Sequence, residues 1–274
     1  MFTRQHDGVV EEPLRLEGAA GSLHAMLHLP RSGAVRGGVV VAAPDGEERA
    51  WAERSLVVTA RGLADQGFAV LRFDFGGQGE SDGDYERTTM ATRIADLRAA
   101  VEALRQRIGR SPLVLGVRLG GAVTLAAAAA GDDVHDVVLW EPTLAPGQYV
   151  HQLLRVNVST QMVAHGQVLK DRDRLIADAR GGALISVNGY NLTGAFIDEL
   201  LTLDVLSTLR ARTGRTLVLA NGPVNSELAG QPGVDTERIS CPPFWTEPKL
   251  HVASPPPFLT RTIAWLSGPV GRAA

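Results

Sequence analysis

The sequence predicts an α/β fold with a mostly parallel central sheet and helices on both faces. Short apolar runs recur at 38–43 (GVVVAA), 68–73 (FAVLRF), 112–116 (PLVLG) and 135–140 (HDVVLW). They are continuous rather than alternating, as in strands buried on both faces. Helical patterns separate them, and strand–helix alternation repeated three times is the signature of a parallel sheet. The 30 glycines among 274 residues supply the tight turns that such short elements need.

The elements follow in order. Segments 11–17 and 23–29 alternate loosely around GAAGS and read as a hairpin of edge strands. After the first buried strand, Leu56, Val57, Ala60, Leu63 and Ala64 give a helix over 55–66, ended by Gly67. Residues 88–108 form the clearest helix, with Met90, Ile94, Leu97, Val101, Leu104 and Ile108 on one face. A small-residue helix spans 120–130. The alternation then stops, and 143–182, which carries KDRDR, reads as a helical cap insertion within a single domain covering 1–274. A short strand at 183–187, a helix at 195–206, a strand at 216–220 (TLVLA), an edge strand at 238–244 and a helix at 258–266 complete the chain.

Charge and cysteine usage exclude several function classes. A net charge of −3 has none of the basic footprint of a nucleic-acid binder. The single cysteine, Cys241, cannot form an internal disulfide and fits a reducing compartment. The longest apolar run, GGAVTLAAAAAG, is too short to span a bilayer, and the first residues lack the apolar stretch of a secretory signal. The expectation is a cytoplasmic protein with no cofactor and no metal. All but two of the 27 basic residues are Arg, so an Arg gains meaning only from its position.

In open parallel sheets ligands bind beyond the carboxyl ends of the strands. There the sequence places AAPDGEER, then DFGGQGESDGDY, then GVRLGG. The last leads from strand to helix, the context of the G-x-S-x-G nucleophile elbow. Gly116 and Gly120 supply its two steric gaps, but Arg118 holds the nucleophile position. A guanidinium stays protonated, so it neither attacks nor accepts a proton.

These loops and their order resemble the α/β-hydrolase fold, and within it the serine-aminopeptidase-like branch. The chain is further similar to the second type of hydrolase-like protein associated with exosortase A systems. That resemblance rests on Pro44 to Glu48 (P-x-x-E-E), Asp74 to Ser81 (D-x-x-G-x-G-x-S), Gly116 to Gly120 (G-x-R-L-G), Gly189 to Thr193 (G-Y-x-L-T) and Pro243 to Trp245 (P-F-W). It implies an α/β-hydrolase fold with a helical cap insertion. It also implies an acid after the TLVLA strand, where Asn221 and Asn225 stand with Glu227 further on, and a histidine before the last helix, where His251 stands.

The candidate catalytic residues are Arg118, His251 and Glu48. Oxyanion donors would be the backbone amides of Leu119 and of Asp45 or Gly46. Glu47, Glu141 and Tyr190 are candidate binding residues. An inward-pointing Arg118 needs an anion: Glu47, Glu48 or Glu141 from the chain, or a ligand carboxylate or phosphate. Ser81 reads as a turn cap and Cys241 as a small buried hydrophobe. Three functions follow: a hydrolase or acyl-transfer enzyme with an unconventional site acting on a small ester, thioester or amide; a non-catalytic protein binding an anionic small molecule or a partner protein; or a non-hydrolytic enzyme such as a lyase.

Overall fold

The computed structural model describes residues 4–6, 8–31, 33–131, 133–223, 225, 227–228, 230–247 and 257–268. The chain opens with strands β1 (Arg4–His6), β2 (Val9–Gly18), β3 (Gly21–Pro30) and β4 (Gly37–Ala42). Helix α1 (Gly46–Asp65), β5 (Phe68–Phe73), a 3-10 turn at Tyr85–Arg87, α2 (Met90–Ile108), β6 (Leu113–Val117), α3 (Leu119–Ala129) and β7 (Val137–Trp140) follow. Next come α4 (Pro146–His165), α5 (Arg172–Arg180), the hairpin β8 (Ile185–Val187) and β9 (Tyr190–Leu192), α6 (Gly194–Thr202) and α7 (Val205–Ala211). Strands β10 (Thr216–Ala220) and β11 (Val234–Arg238) and helix α8 (Pro257–Ser267) close the fold.

Among the described residues, nine strands form one sheet in the order β1-β2-β3-β5-β4-β6-β7-β10-β11. From β5 to β11 every pairing is parallel, while β1, β2 and β3 add an antiparallel wing. The pleat sorts the core. Val40 and Ala42 face the layer of α2 and α3, and Val39 and Val41 face that of α1 and α8. The chain leaves β4 in one direction to reach β5 and returns on its other side to reach β6. The carboxyl ends of β4 and β6 therefore flank the switch point, where a doubly wound sheet opens a crevice.

Four boundaries differ from expectation. The helix expected at 55–66 begins at Gly46. The acidic PDGEER stretch is thus its first turn, where Glu47 and Glu48 complement the helix dipole. The helix expected at 195–206 is two helices, because Asp204 accepts the Ser207 amide at 3.0 Å and starts α7. The last strand lies at Val234–Arg238 rather than 238–244. Pro242 and Pro243 have no N–H for a ladder, so Cys241 lies outside the sheet. The hairpin β2–β3 is covered by β1 and is not at the sheet edge.

Candidate functional site

Arg118 sits between β6 and α3 with φ 53° and ψ −121°, a left-handed backbone that side chains rarely adopt. The turn is held from both sides: the Arg118 amide donates to the Trp140 carbonyl at 3.1 Å, and its carbonyl accepts from Gly121 and Thr143, each at 3.0 Å. A Cβ at Gly116 would lie 2.6 Å from Thr124 Oγ1 and 2.7 Å from Gly121 Cα. One at Gly120 would overlap the carbonyls of Ala42 and Ala43. Both glycines are sterically required, and the second packs the start of α3 against the end of β4.

Glu48 is the partner of Arg118. Arg118 Nη2 donates to Glu48 Oε1 at 2.9 Å, and Nε lies 3.2 Å from each Glu48 oxygen. Nη1 reaches the Glu141 carbonyl at 3.4 Å, and the guanidinium stands 5.6 Å from the centre of the Trp245 ring. Each wall thus comes from a different element, and the two side chains are only 16% and 18% exposed. Burial raises the Glu48 carboxyl above its ordinary pKa, against the opposing pull of Arg118.

The other two expected anions are engaged elsewhere. The Glu47 carboxylate accepts from the Asn188 amide group. Glu141 does not line the cavity described below: φ 43° at this residue turns the chain, and its Oε2 accepts the Asn221 amide at 2.5 Å. Asn221, at the position where the resemblance implies the acid, holds the Cys241 amide through Oδ1 at 3.1 Å. Burial, with help from Glu141, pushes the Cys241 thiol up, away from the reactive thiolate. Glu227 pairs with Arg210. Ser81 is a turn cap as expected, its Oγ donating to the Asp74 carbonyl at 2.6 Å and accepting the His24 amide at 2.8 Å. His251 lies outside the described residues.

Asp45 carries more than the backbone amide that singled it out. It is buried and bonded to Arg93 Nη2 at 2.7 Å, Gln78 Nε2 at 2.7 Å and the Tyr85 hydroxyl at 2.8 Å. Arg93 is also buried, with its guanidinium 5.6, 5.8 and 5.1 Å from the rings of Phe75, Tyr85 and Phe196. Cation–π packing and a charge-assisted bond together offset the cost of burying this ion. The sequence held a signal for it: position 93 lies three residues after Met90 and four before Leu97, on the buried face of α2.

A cavity of about 170 Å³ opens beside these groups. Asp45, Glu47 and Glu48 form its acidic side, and Tyr149, Leu153 and Val156 of α4 form another. The tip of the β8–β9 hairpin closes it, where Asn188 (φ 48°) and Gly189 (φ 88°) make a tight turn. Tyr190 packs edge-on against Tyr85 at 5.0 Å and lines the cavity. Tyr149 is 4% exposed, and its hydroxyl makes no hydrogen bond among the described residues. Burial and the nearby carboxylates of Glu48 and Asp45 push this phenol well above its usual pKa, so it stays protonated. Leu119 and Gly46 open α3 and α1, so their amides belong to the helix-end N–H groups that lack an intrahelical partner.

With this geometry in hand, known proteins provide a frame. A family model described as serine aminopeptidase, S33, matches residues 52–179, slightly under half of the chain. No curated protein matches the chain. Among solved structures, Est1E from Butyrivibrio proteoclasticus with ferulic acid bound has 18% identity and a TM-score of 0.68, covering 92% of this chain and 96% of its own. An esterase from Pyrococcus furiosus has 15% identity and a TM-score of 0.63, covering 93% of this chain and 89% of its own. The esterase domain of a Rhodothermus marinus protein has 20% identity and a TM-score of 0.60, covering 93% of this chain and 97% of its own. Each likeness extends over almost the whole fold, which is the α/β-hydrolase fold. Among the described residues, no helix is long and apolar enough to cross a membrane.

Proposed function

We propose that this α/β-hydrolase-fold chain is a hydrolase that acts on a small ester, thioester or amide by activating water, without an acyl-serine step. The reading rests on one observation: Glu48 lines the cavity with its Oε2 bonded only once among the described residues, by Arg118 Nε at 3.2 Å, while Arg118 Nη2 holds Oε1 at 2.9 Å. A carboxyl whose pKa is raised by burial is better matched to general-base work near neutrality than a free one. Glu48 Oε2 takes a proton from water as the water oxygen bonds to the substrate carbonyl carbon. The carbonyl oxygen gains the electron pair and is received by the amides of Leu119 and of Asp45 or Gly46. As the bond to the leaving group breaks, Glu48 returns that proton to it. Arg118 is a positioning residue that orients Glu48. In this reading segment 143–182 acts as a cap, and the chain works in the cytoplasm as a relative of the exosortase-associated proteins, a reading supported by the short motifs they share.

The test uses p-nitrophenyl acetate and a short acyl thioester. Glu48→Gln keeps the shape and two of the acceptor contacts but cannot take a proton, so kcat should fall about 10²–10⁴-fold. A fluorophosphonate probe should leave the chain unlabelled. Labelling of any serine, or a Glu48→Gln rate equal to the parent's, overturns the reading. A second reading, ligand binding without turnover, is favoured by the pairing of Arg118 inside the protein. It predicts no hydrolysis by the parent of either substrate. The pairing also leaves Arg118 no free fork for a ligand anion.

A further inference from the structure

We propose that the cavity receives the ammonium group of a small amine, with Glu47 as its ion partner and the side chains of α4 and the β8–β9 hairpin holding its apolar body. The inference deepens the hydrolytic reading by naming a substrate class, and it rests on that reading in taking this cavity as the substrate site.

The charged residues that line the cavity are Asp45, Glu47 and Glu48, with no Lys, Arg or His among the described lining residues. Two of these carboxylates are already neutralised from behind. Asp45 has Arg93 at 2.7 Å, and Glu48 has Arg118 at 2.9 Å. Glu47 has only the neutral amide of Asn188 and no ion pair among the described residues. One uncompensated negative charge therefore faces a space with partly apolar walls. There an opposite charge is screened less than in water.

Tyr149 provides an independent indication. Its side chain is almost wholly buried on the cavity wall, and its hydroxyl is left without a partner among the described residues. A hydroxyl on the cavity wall with no protein partner among the described residues is open to a bound donor or acceptor. An ammonium has three donors, and Glu47 and the Tyr149 oxygen are acceptors on the same cavity, leaving Glu48 Oε2 to its water. An anion would face the three carboxylates of Asp45, Glu47 and Glu48 there. The rest of the wall, including Leu153, Val156 and Leu192, suits a short apolar body. At about 170 Å³ the space is close to the roughly 150 Å³ of an engineered apolar cavity that binds benzene.

The experiment is calorimetric titration of the full chain with benzylamine, benzyl alcohol and benzoate at pH 7, three probes that share one ring and differ in charge. Benzylamine should bind at least about tenfold more tightly than benzyl alcohol, and benzoate should be weaker still. Glu47→Gln, which retains the bond to Asn188, should remove most of that preference, and Tyr149→Phe should weaken benzylamine several-fold. Equal or tighter binding of benzoate or benzyl alcohol overturns the proposal, as does an unchanged preference in Glu47→Gln. The ratio in the unmodified chain decides the matter even if a variant fails to fold. These titrations require no turnover. Absence of ester hydrolysis therefore bears on the catalytic reading and leaves the amine result standing.

Discussion

Removing the guanidinium at position 118 tests the arrangement at the elbow most directly. In Arg118→Ala the Glu48 carboxylate loses all three of its bonds to the guanidinium, and nothing else among the described residues replaces them. Breaking a fully buried ion pair costs about 3–5 kcal/mol. Here the partners are 16% and 18% exposed, which screens part of the loss and lowers the expected cost to about 2–3 kcal/mol at pH 8. At roughly 2–4 °C per kcal/mol for a domain of this size, the melting temperature should fall by about 5–10 °C. The carboxyl can escape by taking a proton, which fixes the sign of the pH dependence. Its folded pKa lies above the unfolded value, so the folded state binds more protons and loses stability as pH rises between the two. The deficit of Arg118→Ala should therefore be smaller at pH 5 than at pH 8. Arg118→Met with Glu48→Gln replaces both charges and should recover most of the loss. Urea titrations of parent, both single variants and the double variant give the coupling energy. A variant melting within a degree or two of the parent at pH 8, or a double variant no better than Arg118→Ala, refutes the reasoning.

Three further outcomes follow from the same geometry. Burial first, then the positive charge of Arg72, holds His28 at about 4, below its free value of 6.5; the unfolded chain takes up a proton there that the folded one refuses. Stability due to His28 is thus complete above pH 6.5 and lost as pH falls toward 4, by up to about 3 kcal/mol, and urea titration of a His28→Gln variant should show a flatter profile. Arg93→Met strands the buried Asp45 carboxylate and should cost about 3–5 kcal/mol, read by thermal melting at pH 7; a change below about 1 kcal/mol contradicts the network. Arg118→Ser should acquire fluorophosphonate labelling and weak aryl-ester hydrolysis, about 10⁴-fold below a complete triad because Asn221 cannot serve as the acid. That rate should fall again in the His251→Ala background, and an unchanged rate there removes His251 from the chemistry.

The sheet was legible because its strands are buried on both faces, and a run such as GVVVAA or FAVLRF has few other stable uses. The elbow was legible for a related reason. Gly116 and Gly120 stand where any Cβ would meet Thr124 or the Ala42 and Ala43 carbonyls, so the steric rule leaves a mark in the sequence even without the serine. Boundaries read less well where local chemistry competes with periodicity. Asp204 interrupts an apolar helical pattern with one side-chain cap, and the first turn of α1 is polar and hence has no apolar stripe to betray it.

The site was legible only in part, because its polar groups take partners far away in the chain. Glu48 could be named as one of three possible anions for Arg118, but 70 residues separate the pair and only the fold chooses among them. Arg93 and Tyr149 went unread since each occupies a position that helix periodicity assigns to core, and a charged or hydroxyl-bearing side chain there looks like tolerated burial. The hairpin tip Asn188–Gly189 did carry a local signal, the Asn-Gly turn, yet its weight comes from where it lands: Asn188 on Glu47, and Tyr190 on Tyr85. Burying an ion this deeply is costly without dedicated partners. Here Arg93 has Asp45 and three rings, and Arg118 has Glu48, a carbonyl and Trp245. Each cation thus stands behind a carboxylate that lines the cavity, Arg93 behind Asp45 and Arg118 behind Glu48, so the charges of the pocket wall are set by partners that the wall itself does not display.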